Sequence, residues 1–153
     1  MKHIPGILLF LLALVSCKEV YDRPPQSQAQ IYLYDATPTA LSARVTVQGY
    51  QNDSVWIEDE DLTYFNLPLD QNNTEAIYIL LLDSVADTLI INYNSKLVYE
   101  SMESGFFTEH YIQSLRSTAH KIDSIALIDT LVISTWHENI QLFLNDSTNL
   151  SGS

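Results

Sequence analysis

Cysteine is nearly missing from this chain: Cys17 is the single one in 153 residues. No disulfide framework and no paired-thiolate metal site can form within it. Basic residues are scarce as well, with 7 Lys and Arg against 19 Asp and Glu and a net charge of −12. Such a surface repels nucleic acid and anionic headgroups, so neither is an expected partner. The opening apolar run, Ile7 to Val15, is interrupted at its start by Pro5-Gly6 and falls well short of the roughly 18 to 20 residues that cross a bilayer. Also missing are His-Glu-x-x-His and Gly-x-Ser-x-Gly, the patterns that announce zinc hydrolases and serine-nucleophile elbows.

What is present begins with Leu14-Val15-Ser16-Cys17. A short basic start (Lys2, His3), an apolar core and a small residue before cysteine make a lipoprotein signal, with Cys17 as the first mature residue. The expectation is removal of residues 1–16 and lipidation of Cys17, which fastens the chain to a membrane of the cell envelope. With its one thiol acylated, the folded part has no cysteine nucleophile. Removal of Lys2 leaves six basic residues against nineteen acids, a net charge near −13.

The 137 mature residues fit one domain with a true core. Residues 17–30, with Pro24-Pro25 and a Gln/Ser/Ala run, read as a tether, and 146–153 as a frayed polar tail. Between them, over 31–145, short runs rich in Ile, Val, Leu, Tyr and Thr read as strands. They are placed at Gln30–Tyr34, Arg44–Gly49, Ser54–Ile57, Leu62–Leu67, Ala76–Leu82, Thr88–Tyr93, Leu97–Ser101, Lys121–Leu127, Leu131–Thr135 and Asn139–Leu144. Tyr111, Ile112 and Leu115 share a face at helical spacing and suggest one short helix over Thr108–Ser117. Ten close-spaced strands without crossover helices predict an all-β fold, a single antiparallel sandwich, immunoglobulin-like or similar, or a small barrel.

The mature histidines His110, His120 and His137 have no metal-binding spacing, and no cofactor is expected. Ser104 beside Gly105 would need a histidine with a carboxylate behind it to act as a hydrolase nucleophile. Glu58-Asp59-Glu60-Asp61 lacks the alternating spacing and glycine of a calcium loop and reads as a charged hairpin loop guarding a sheet edge. Trp56, Trp136 and nine tyrosines offer either core or a stacking platform for sugars. Asp, then Ser or Thr, then an aliphatic residue, Met or Thr recurs six times, where composition predicts roughly one. It resembles the acceptor motif of O-glycosylation in Bacteroidota, which makes Ser54, Ser84, Thr88, Ser124, Thr130 and Ser147 candidate acceptors. The same dipeptides also make side-chain turns that launch strands.

Gln30-Ile31-Tyr32-Leu33-Tyr34-Asp35, Leu67-Pro68-Leu69-Asp70, Asp87 to Tyr93, Leu97 to Ser101 and Asn139 to Leu144 together resemble an uncharacterised lipoprotein family of Bacteroidota. The resemblance implies a lipobox, an all-β domain and no assigned activity. Members carry Cys-Gly where this chain has Ser104-Gly105, so any thiol role of theirs is missing here. Lys18-Glu19 partly resembles a surface-export signal, which leaves both leaflets of the outer membrane open. The expected function is structural, assembly or protein binding without catalysis, with other envelope proteins or glycans as partners. The alternative is a carbohydrate-binding accessory protein, favoured if both tryptophans gather with tyrosines in one exposed groove.

Overall fold

A computed structural model describes residues 26–51 and 54–145, and all regular structure in it is strand. Ten strands follow one another: β1 (Gln28–Tyr34), β2 (Ala43–Gly49), β3 (Val55–Leu62), β4 (Tyr64–Pro68), β5 (Glu75–Leu82), β6 (Val85–Ser101), β7 (Gly105–Ser117), β8 (Ile122–Leu127), β9 (Leu131–Val132) and β10 (Glu138–Leu144). They form a four-stranded sheet, β4-β1-β10-β8, and a six-stranded sheet, β3-β2-β5-β6-β7-β9, which do not close into a barrel. The arrangement is that of a β-sandwich.

Period-2 patterning makes the core. Ile31 and Leu33 of β1, Ile140, Leu142 and Leu144 of β10, Val45 and Val47 of β2, Leu80 and Leu82 of β5, and Leu89 and Ile91 of β6 are all fully buried. Their intervening residues are mostly exposed or half-buried. Burying one such side chain is worth about 1.5 to 3 kcal/mol, so the facing rows of the two sheets supply the main driving force. The β5–β6 hairpin is closed by Asp83 (φ 49°) and Ser84 (φ 70°), the left-handed pair that a two-residue primed turn demands.

Four expectations need correcting. The sandwich is not wholly antiparallel, because β1 and β10 pair in parallel with Ile31 opposite Ile140. Thr108–Ser117 is not a helix but most of β7, paired along its length with β6. The helical spacing has a local cause: Ile112 lies opposite Tyr93 and Ser114 opposite Asn92, so Gln113 is the extra residue of a β-bulge. The bulge moves the inward phase from His110 and Ile112 to Leu115, a three-residue step that imitates a helix turn. Asn94-Ser95-Lys96, polar enough to suggest a break between two strands, continues β6 because Tyr111, His110 and Glu109 pair opposite it. Finally, Glu58 to Asp61 lies within β3, an edge strand, with the Asp59 carboxylate paired to Arg44 at 2.5 Å. The charge lies on the edge strand itself instead of on a loop beside it, and charge on an edge strand opposes pairing with another chain.

Candidate groove at the open end of the sandwich

β6 and β7 are longer than any strand of the opposing sheet, at 17 and 13 residues against at most 7. Their hairpin therefore overhangs the end of the sandwich. Successive cross-strand pairs on its inward face are Ser95 with His110, Leu97 with Thr108 and Tyr99 with Phe106. The face passes from fully enclosed to solvent along this row: His110 is 2% exposed, while Leu97 and Phe106 are 60% and 63% exposed. Tyr99 and Phe106 meet edge to face at 5.2 Å. A groove of about 870 Å³ lies along this overhang, within the range of small-molecule sites.

The opposite wall comes from the β2–β3 hairpin, where Tyr50 and Trp56 are both half-exposed and line the groove. The β4–β5 turn, Leu69 to Asn73, makes the third side. This turn is organised by Asp70, whose Oδ1 accepts the Asn72 N–H at 2.9 Å and whose Oδ2 accepts Asn73 Nδ2 at 2.8 Å. Two buried tyrosines fix it to the sheet from below: the Tyr93 hydroxyl donates to the Asp70 carbonyl at 2.9 Å, and the Tyr78 hydroxyl donates to the Pro68 carbonyl. Burial pushes both phenols up from their ordinary value, so they stay protonated donors. Leu67-Pro68-Leu69-Asp70, one of the segments that carried the family resemblance, thus builds the rim of the groove. Gln71 Oε1 completes the link across it by accepting the Thr108 hydroxyl at 2.9 Å.

Gln26 and Ser27 also line the groove, immediately before β1. The Ser27 hydroxyl donates to the Thr108 carbonyl at 2.5 Å, and the Trp136 indole N–H donates to the Gln26 carbonyl at 3.0 Å. The chain thus enters the domain at this open end. Trp136 is half-exposed but lies behind Gln26 and does not line the groove, so one of the two tryptophans joins the tyrosines there.

Ser104 and His110 both line the groove. The Ser104 hydroxyl accepts from Ser101 at 3.1 Å, and the His110 Nδ1 meets the Ser95 hydroxyl at 2.9 Å. Burial lowers the His110 pKa despite the nearby Asp70 carboxylate, which keeps the imidazole neutral. His120 and His137 lie elsewhere, on Asp87 and Asp129. No three His, Cys, Asp or Glu side chains gather as a metal would require among the described residues.

The Asp-Ser/Thr triplets divide by structure. Ser54, Ser84, Ser124 and Thr130 are exposed, whereas Thr88 is half-buried and its N–H is bonded to the Thr118 hydroxyl at 2.8 Å. Asp129 makes the side-chain turn expected of such a dipeptide, accepting the Leu131 N–H at 2.8 Å. Asp123 and Ser124 instead lie inside an edge strand. Cys17 and Ser147 lie outside the described residues.

A family model described as a family of unknown function, DUF6452, matches residues 44–144. Neither a curated protein nor a solved structure matches the chain.

Proposed function

The chain belongs to this DUF6452 family of unknown function, and from that footing we propose that it is a lipid-anchored envelope protein that works by binding in its open groove, without covalent chemistry. The observation that carries the reading is the β6–β7 overhang, an inward sheet face that continues the core beyond the last strand able to cover it. A monomeric fold ordinarily hides such a face, and exposed Leu97, Tyr99 and Phe106 mark a surface that awaits a partner. Support for the anchor comes from the lipobox ending at Cys17. Nine peptide steps separate Cys17 from Gln26 at the groove's edge, a span of at most about 32 Å. The groove is then held close to the membrane face, on the outer membrane in this reading, where an envelope protein or glycan meets it. Carbohydrate binding draws support from Trp56 and Tyr50, both half-exposed on one wall, though Trp136 does not join them there.

Intact mass of the chain isolated from its native host tests this reading. The expected mass starts at Cys17 and includes acyl chains, with hexose-type increments traceable to the exposed hydroxyls of Ser54, Ser84, Ser124 or Thr130. A chain that retains residues 1–16, or begins at Cys17 without lipid, contradicts the anchor. A mass with lipid alone contradicts glycosylation and leaves the anchor in place.

A further inference from the structure

We infer that the groove is a site for a neutral oligosaccharide, which rests on the reading of the groove as the working surface and adds the class of its ligand. Shape comes first. The groove runs from Trp56 on β3 across β2, β5 and β6 to Phe106 on β7, which is four inter-strand spacings or about 19 Å. That length suits a chain of sugar rings better than a single one. Aromatic faces stand at both ends, Trp56 and Tyr50 on one wall and Phe106 on the other, each half-exposed or more. Flat apolar faces of pyranose rings stack on such side chains, and the amphipathic rings of Trp and Tyr suit a ligand that is apolar on its faces and polar at its rim.

Charge and hydrogen-bonding type narrow the class. The charged residues that line the groove are Asp70 and Glu75, with no Lys or Arg among them, so uronates, phosphates and sulfated glycans are repelled. A cationic peptide would find only these two carboxylates, Glu75 exposed at the rim and Asp70 with both oxygens already accepting from Asn72 and Asn73. The turn also presents amide, from Gln71, Asn72 and Asn73: Asn72 and Asn73 each give one N–H to Asp70 and the Gln71 carbonyl accepts Thr108, which leaves each amide with further N–H and lone pairs to offer. Amides donate and accept in equal measure, the match for hydroxyls that do the same, whereas an ammonium can only donate.

Calorimetry on the full mature chain in detergent micelles tests the inference with six probes: cellohexaose, mannohexaose, xylohexaose, chitohexaose, hexagalacturonate and hexalysine. At least one of the four neutral sugars is expected to bind and hexagalacturonate is expected not to. Trp56→Ala and Phe106→Ala, on opposite walls, should each weaken that binding tenfold or more, as aromatic anchors do. Both side chains are half-exposed or more, so unfolding temperatures should stay near wild type. Failure of all four neutral sugars to bind overturns the inference, and so does binding of hexagalacturonate. Binding of hexalysine that either variant abolishes overturns the sugar assignment while the groove survives as the working site. Sugar binding that neither variant weakens overturns both.

Discussion

Asp87→Ala should destabilise the domain by about 3 to 5 kcal/mol, enough to unfold much of a typical marginally stable population at growth temperature. The Asp87 carboxylate is fully enclosed. It accepts the Thr118 hydroxyl at 2.6 Å and the backbone N–H groups of His120, Lys121 and Ile122 at 2.9, 2.7 and 2.9 Å, with His120 Nδ1 at 3.1 Å. One side chain on β6 thereby holds the whole connection from β7 to β8, which carries the chain from one sheet to the other. Truncation leaves several donors unpaired, two of them buried, and that loss outweighs any gain from removing a charge.

Acid should reveal the same clamp. Burial opposes ionisation of Asp87, but the Thr118 hydroxyl and the three backbone donors outweigh it and hold the pKa below the ordinary carboxylate value. A depressed folded-state pKa means that the stabilisation is complete above the unfolded value near 3.9 and is lost as pH falls through the folded one. At Asp83 too, partial burial opposes ionisation but is outweighed by the Arg44 backbone N–H and by Lys121 at 3.1 Å, so its lowered pKa adds a contribution of the same sign. Wild type is therefore expected to lose stability below about pH 4, and Asp87→Asn, already weakened at pH 7, to lose less over that window. Urea melts at pH 3, 4 and 7 check this, and parallel pH profiles for the two proteins would remove Asp87 as the cause.

Cys17→Ser should release the chain from membranes altogether. No helix among the described residues is long and apolar enough to span a bilayer, and the net charge of −12 disfavours adsorption to anionic lipid. Under the proposed function, the acyl chains carry the attachment, and each buried methylene contributes about 0.8 kcal/mol. Serine has no thiol to acylate, so fractionated cells should show the wild type sedimenting with membranes and the variant in the soluble fraction or as uncleaved precursor. A variant that sediments as a mature chain after high-salt and carbonate washes would show attachment by some other surface.

Most of the sandwich was legible because its core strands follow a plain alternation. Leu89, Ile91 and Tyr93 point inward on β6, as do Ile140, Leu142 and Leu144 on β10, and both rows were readable from spacing alone. β7 was not, for two physical reasons. Its inward row includes Thr108 and His110, polar residues whose partners Gln71 and Ser95 lie on other elements, and the bulge at Gln113 breaks the period. Pairing direction was equally hidden: β1 and β10 are joined by more than a hundred residues, and nothing local records that they lie parallel. The groove shows the limit most clearly. Trp56 and the tyrosines were visible as candidates, but the overhang depends on β6 and β7 outrunning the opposing sheet, a property of two sheets together. Leu97 reads from sequence only as the start of a strand and Phe106 falls in no predicted element, so neither is marked out without the missing cover.

Amide NMR of the isotope-labelled full mature chain, titrated with neutral oligosaccharides released from host envelope, tests most directly whether the groove is where this chain works. The account predicts shifts confined to Gly49 and Tyr50, the Trp56 indole, Asp70 to Asn73 and Phe106 to Thr108, the segments that meet at the open end of the sandwich. Shifts centred instead on the Asp83-Ser84 turn or on the β8 edge, or a spectrum that does not change, would contradict it.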